Sequence, residues 1–187
     1  MNQKHRSISM IRENLDRIAS FDLPRSFSIK WYERGDEKLW VDIQKRADHY
    51  NTISFELFDR EFNRDIESLA RRQCFLIDKH GTAIGTATAW FDNNHNGLPY
   101  GRVHWVAIVP ESQGQGLSKP LLTTVCQRLS TMGHKRAYLN TSPERIPAIN
   151  LYLKFGFVPE IKDIHDSEVW DEIHRRMTEK GSPSGVE

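Results

Sequence analysis

The run Val106 to Lys119 reads Val-Ala-Ile-Val-Pro-Glu-Ser-Gln-Gly-Gln-Gly-Leu-Ser-Lys, and it constrains the fold more than any other stretch. Four apolar residues form a buried strand, and Pro110 to Ser112 turn the chain. Gln113-Gly114-Gln115-Gly116 form a loop, and Leu117 opens a helix. The first N–H groups of a helix lack intrahelical partners and its dipole favours negative charge there. A glycine loop that opens a helix is therefore an anion site, suited to a phosphate-bearing ligand.

Two common phosphate motifs do not fit. A P-loop needs Lys directly after its second Gly, and none follows Gly116. A dinucleotide fingerprint needs a third Gly, but Lys119, before Pro120, stands in its place, and no acidic residue stands at the right distance on a second strand.

Around this run the chain alternates strands and helices. Phe27, Ile29 and Trp31 alternate with polar residues as a strand. Gly35-Asp36 opens a helix with Leu39, Trp40, Ile43 and Ala47 on one face. Phe58, Phe62, Ile66 and Leu69 predict one further helix, with Asp59 near its start. Cys74 to Ile77, Ala83 to Phe91 and Arg102 to Val109 are strands. Asp78 to Gly81 is a hairpin turn and Asp92 to Tyr100 a long hairpin loop. The helix after the glycine loop buries Leu117, Leu121, Leu122, Val125, Leu129 and Met132. Pro120 is tolerated in its first turn, and Gly133 caps its end. Ala137 to Asn140 is a strand. Pro143 or Pro147 starts a helix that Gly156 stops, and Phe157-Val158 begins a last strand. Val169, Trp170, Ile173 and Met177 have helical spacing. Residues 1–24 form a polar N-terminal extension with one helical turn around Ile11, Leu15 and Ile18. Residues 25–180 form one domain, and 181–187 a disordered tail.

Composition excludes more than it selects. With 26 basic and 25 acidic residues the net charge is +1, which gives no electrostatic footprint for nucleic acid or an anionic membrane. No apolar run approaches the ~20 residues of a membrane span, and the polar start has no signal peptide. Cys74 and Cys126 read as reduced core thiols of a cytoplasmic protein. The eight histidines show no metal-ligand spacing, so no metal is expected. Asp92 to Gly97 opens like a calcium loop, but Val103 stands where the final Glu belongs.

Gln113-x-x-Gly116-x-Ser118 after a strand resembles the pyrophosphate loop of the GNAT superfamily of acyl-CoA N-acyltransferases. Ala148-Ile149-Asn150-Leu151-Tyr152-Leu153-Lys154-Phe155-Gly156-Phe157 is similar to that family's later Ala-x-x-Leu-Tyr-x-Lys-x-Gly-Phe signature. The two blocks stand in the family's order and separation. The resemblance is firm from about Thr82 to Pro159 and weak before Arg25. It implies an α/β (α+β) fold with a single mixed, mostly antiparallel twisted sheet flanked by helices. It further implies transfer of an acetyl group from acetyl-CoA to a primary amine by direct attack in a ternary complex.

The same resemblance assigns roles. Val106, Ala107 and Ile108 would pair with pantetheine amides as an added strand does, with a freed N–H near Ile108 facing the thioester carbonyl. Gln113, Gly114, Gln115, Gly116, Leu117 and Ser118 would cradle pyrophosphate. Ser118 stands where the family usually has Gly or Ala. Lys119 either reaches a phosphate or is solvated. Tyr152 would protonate the departing CoA thiolate; otherwise it is a core tyrosine of an amphipathic helix. Asn150, two residues earlier, touches CoA or is exposed. Arg145 replaces an Asn that often contacts pantetheine.

Both positions where relatives carry a basic Glu are non-basic here, Arg102 and Asn140. His104 remains as the candidate base. By simple alternation it shares a strand face with Arg102, Val106 and Ile108, and an ordinary imidazole pKa of ~6.5 suits proton removal. A buried structural His, or water as the base, are the alternatives. Trp90, Phe91 and Tyr100 flank the loop nearest the expected acceptor cleft and are candidates for a pocket lining. The acceptor is a small-molecule or peptide amine, and the chain a monomer or homodimer. The rival reading is a GNAT-fold acyl-CoA binding or sensing protein without turnover, against which the retained Tyr152 argues.

Overall fold

The computed structural model describes residues 7–179. The tail expected over residues 181–187 lies outside the described residues. In chain order the elements are β1 (Ile8–Arg12), β2 (Ser28–Trp31), α1 (Glu37–Ala47), α2 (Phe55–Phe62), α3 (Ile66–Arg72), β3 (Gln73–Ile77), β4 (Ala83–His95), β5 (Leu98–Ile108), α4 (Ser118–Thr131), β6 (Ala137–Thr141), α5 (Ile146–Lys154), β7 (Val158–Pro159) and α6 (Ile164–Glu179). They group into two compact units, Glu13–Ala137 and the two flanking segments of the chain.

The central unit is built on strands in the order β2-β3-β4-β5, each antiparallel to its neighbour. Opposed residues on paired strands point to one face. Phe91 pairs with Gly101 and Ala89 with Val103, and this face receives α4. A Cβ on Gly101 would stand 2.8 Å from Leu129 Cδ2, so glycine lets α4 approach the sheet. The opposite face carries Thr86, Thr88 and Trp90 and receives α1 and α2. Trp40, Phe58 and Phe62 from those helices form an edge-to-face cluster, with Trp40–Phe58 centroids 5.2 Å apart and Phe62–Trp90 5.3 Å apart. Such pairs each add ~0.5–1.5 kcal/mol beyond burial.

The single helix expected over Phe58 to Leu69 is two helices. Asn63 and Arg64 both adopt left-handed backbone (φ 51° and 52°), which ends α2. Asp65 then caps α3 by accepting from the Ser68 N–H at 2.9 Å. The long loop expected at Asp92 to Tyr100 is also different. The strands continue to His95 and resume at Leu98 around Asn96-Gly97, both at positive φ (53° and 80°). An Asn-Gly pair at positive φ is the turn that matches strand twist in a hairpin.

The other described segments, 7–12 and 138–179, hold β1, most of β6, α5, β7 and α6. Here β1 is a strand where the sequence predicts a helical turn around Ile11. It lies between β6 and β7 and is antiparallel to β7, with Met10 opposite Pro159. Ile8 and Met10 are buried. The Arg12 guanidinium donates to the Phe155 carbonyl at the end of α5. Helix α6 forms as its spacing predicts and buries Trp170 and Ile173.

Candidate functional site

The chemistry gathers at the end of β5. Thr88 faces His104, but Thr86 faces Ala107, so β5 carries one extra residue there. This is a β-bulge, and Trp105 adopts left-handed backbone at its centre (φ 48°). The bulge shifts side-chain parity. His104 therefore shares its face with Arg102, Thr88, Thr86 and Ala107. The expected common face of His104 with Val106 and Ile108 is corrected, because alternation does not survive an inserted residue. The irregularity also lies at Trp105–Val106 and not at Ile108, which pairs regularly with Gly85.

The bulge displaces the Trp105 carbonyl from the ladder, and Gln44 Nε2 of α1 donates to it at 3.0 Å. Gln44 is itself buried, so α1 braces the bulge. Val106 and Ala107 are half-buried, and Ile108 is at the core boundary.

Past the strand, Gln113 Nε2 donates to the Ile108 carbonyl at 2.8 Å and folds the loop back on itself. Arg46 of α1 pairs with Glu111 on the short turn between. Gly114 and Gly116 have φ of +76° and +77°, and the space where a Cβ would stand is open at both. Residues Gln113 to Gly116 are exposed, whereas Leu117 is buried and anchors the loop. No side chain caps α4 and its first turn holds no acid. The arrangement is an open concavity of backbone with an uncapped, positive helix end, which can take an anion. Ser118 opens α4. Lys119 Nζ stands over the Phe21 ring, 5.4 Å from its centroid.

His104 is buried, with 6% of its side chain exposed. The Phe62 ring lies 5.6 Å away, edge to face. Its Nε2 meets Glu61 Oε2 of α2 at 3.1 Å. The same carboxylate oxygen accepts from Trp105 Nε1 at 3.0 Å. Burial disfavours the imidazolium and lowers the His104 pKa to about 4, against the pull of Glu61. The His104 ring at 3.1 Å, then the hydrogen bond from Trp105, holds the Glu61 carboxyl down to about 2. At neutral pH the pair is an ionised carboxylate and a neutral imidazole. The contact assigns the ring hydrogen to Nε2 and leaves Nδ1 as acceptor. An ordinary imidazole pKa, expected from the sequence, is thus replaced by a strongly lowered one.

Glu61 is a candidate the sequence reading missed, because one helix over Phe58 to Leu69 puts it in the first turn, where an acid is ordinary. Trp90 packs on Phe62 and Phe91, and the Tyr100 hydroxyl donates to the exposed Glu13 at 2.7 Å. Phe91 lies under the Arg72 guanidinium, 4.6 Å from its centroid.

In the flanking unit, Tyr152 is buried on α5, with its ring edge-to-face to Phe157 at 6.3 Å. Asn150 and Asn140 are exposed, and Arg145 precedes the first turn of α5. Cys74 and Cys126 are free and buried, and burial pushes the Cys74 thiol up to about 12. Among the described residues no group of three or more His, Cys, Asp or Glu gathers as a metal site. Nor is any helix there long and apolar enough to cross a membrane.

Known proteins are similar to this chain in sequence and in fold. The chain is 29% identical over 147 residues to a mycothiol acetyltransferase of Arthrobacter sp. (strain FB24), which covers 72% of this chain and 43% of that protein. A mycothiol acetyltransferase of Pseudarthrobacter chlorophenolicus is 32% identical over the same shares. The chain thus spans about half the length of the curated relatives it matches. In fold it is similar to a GCN5-related N-acetyltransferase from Sphaerobacter thermophilus, with TM-score 0.68 and 17% identity over 82% of this chain and 48% of that one. It is also similar to the ribosomal-protein-S18-alanine N-acetyltransferase from Escherichia coli, with TM-score 0.59 and 22% identity over 72% and 79%. These matches show the fold class expected from the sequence, a mixed sheet flanked by helices. The family model of the acetyltransferase (GNAT) family matches residues 39–157, from α1 through the end of α5, and the chain belongs to that family.

Proposed function

We propose that the chain moves the acetyl group of acetyl-CoA to a primary amine, which attacks the thioester directly in a ternary complex. The observation that carries this reading is the junction after β5: an exposed loop with Gly114 and Gly116 at positive φ, followed by an uncapped helix start. Phosphates of CoA are the ligand such a cradle suits, with Gln113 to Ser118 around them and Lys119 at the rim. The half-buried Val106 and Ala107 beside the bulge are the strand positions for the pantetheine amides, with Ile108 continuing the ladder. On the exposed face of α5, Asn150 is the further candidate for CoA contact.

Two groups handle protons in this proposal. Tyr152 protonates the departing thiolate, the role that its place in the Leu-Tyr-x-Lys-x-Gly-Phe block implies. His104 is neutral at pH 7 and can accept a proton at Nδ1. No metal enters the scheme. Relatives named mycothiol acetyltransferase make a small-molecule amine the first acceptor class to test, ahead of a peptide. The two buried free thiols suit a cytoplasmic protein.

Calorimetric titration with acetyl-CoA, followed by a screen of amines for release of free CoA thiol, tests the reading. Binding with release supports it. Binding without release across the screen would favour an acyl-CoA sensor.

A further inference from the structure

The Glu61 carboxylate is placed with unusual care for a residue near the protein surface. It sits one residue before the end of α2, where the helix dipole disfavours an acid. Trp105 Nε1 donates to Oε2 at 3.0 Å, and His104 Nε2 lies 3.1 Å from the same oxygen without hydrogen-bond alignment. Both rings belong to the bulge of β5, and the bulge is braced by Gln44. Aromatic rings wall them: Phe62 stands 5.6 Å from His104, and Trp40 stands 5.1 Å from Trp105.

The side chain of Glu61 nevertheless keeps 24% of its surface open. An ionised carboxylate has about four acceptor sites, of which Trp105 Nε1 takes one. A fixed, ionised acceptor with capacity to spare stands beside the strand irregularity that follows Arg102 and His104. Arg102 acts on Glu61 through space and favours its ionised form.

We propose that Glu61 is the acceptor-recognition residue of this protein. Its carboxylate, oriented by the Trp105 N–H, accepts a hydrogen bond from the protonated amine of the acceptor. The inference rests on the amine-transfer reading above and names its acceptor class: primary amines that are cationic at neutral pH. Trp105 is a positioning residue in this arrangement. Charge-assisted hydrogen bonds of this kind correspond to about a tenfold to hundredfold change in affinity.

The test uses four primary amines, spermidine, glucosamine, tyramine and glycylglycine, with glucose as the neutral counterpart of glucosamine. Each is titrated calorimetrically into the full chain saturated with CoA, and each is assayed for thiol release from acetyl-CoA. At least one amine is expected to bind while glucose does not. Glu61→Gln should weaken that amine about tenfold to a hundredfold and raise its KM by the same factor, with kcat changed far less. Glu61→Asp, which keeps the charge, should recover most of the affinity. Amine affinity in the wild type should also fall severalfold between about 20 mM and about 500 mM salt. That measurement needs no variant, and a flat salt response overturns the proposal. So does equal amine affinity in wild type and Glu61→Gln, or binding of none of the four amines. Glu61-dependent amine binding without thiol release would sink the transfer reading and leave Glu61 as an amine anchor. Thiol release with an unchanged acceptor KM in Glu61→Gln would do the reverse.

Discussion

Lowering the pH from 7 to 5 should cost this protein stability through one residue. In the unfolded chain His104 titrates near 6.5, and in the fold its pKa is lowered to about 4. Between those values the unfolded chain binds a proton that the fold refuses. Stability from this group is complete above 6.5 and is lost as pH falls toward 4. Each pH unit inside the window is worth ~1.4 kcal/mol for one proton. From pH 7 to pH 5 the loss is about 2 kcal/mol. Glu61 adds little in this range, because its carboxyl is held down to about 2 and its unfolded value is 4.5. The depressed Glu61 contributes its own loss only below about pH 4.5, in the same direction. His104→Gln removes the titration and keeps an amide donor for Glu61. The assay is urea unfolding of both proteins at pH 7 and pH 5. Other histidines are common to both and cancel. The wild type should lose about 2 kcal/mol more than the variant, roughly 1 M in urea midpoint. Equal losses in the two proteins would refute the reasoning, because His104 would then titrate alike in both states.

Replacing Gly116 by Trp should abolish acetyl-CoA binding while the thermal midpoint stays near wild type; unchanged calorimetric affinity would remove the loop from the CoA site. Tyr152→Phe should lower kcat by ~10²–10⁴-fold with acetyl-CoA affinity kept; a wild-type rate would make Tyr152 a packing residue. If His104 accepts the amine proton, the acidic limb of kcat/KM lies near pH 4, with activity lost as Nδ1 is protonated below it; a limb near 6.5 would point to another group. Gly101→Ala should destabilise the fold by ~1–3 kcal/mol in denaturant unfolding, since the added Cβ meets Leu129 at 2.8 Å.

The sequence by itself determined the parts whose signal is local. The glycine loop at 113–116 was legible because only glycine takes positive φ without strain, and its place between an apolar run and a helix start is readable in a few residues. The spacing of Leu121, Leu122, Val125 and Leu129 likewise gave α4, since a helix buries a periodic stripe. Helix α6 was legible from Val169, Trp170, Ile173 and Met177 for the same reason. The Asn96-Gly97 turn was equally local, yet the surrounding polar residues read as a loop. The break at Asn63-Arg64 depends on two residues in left-handed backbone, which neither side chain announces.

Only the tertiary structure decided the rest. The bulge at Trp105 is fixed by the pairing of β5 with β4 and by Gln44 from α1, and it reversed the face assigned to His104. The strand at Ile8–Arg12 exists because a partner 149 positions away, β7, supplies its ladder, with Met10 set against Pro159. Glu61 lies 43 positions from His104 and joins it only because α2 packs against the face of β5. A pKa is set by burial and by partners, and both are properties of neighbours in space. No periodicity along the chain encodes them, so the sequence named His104 while the fold alone set its protonation state and its companion carboxylate.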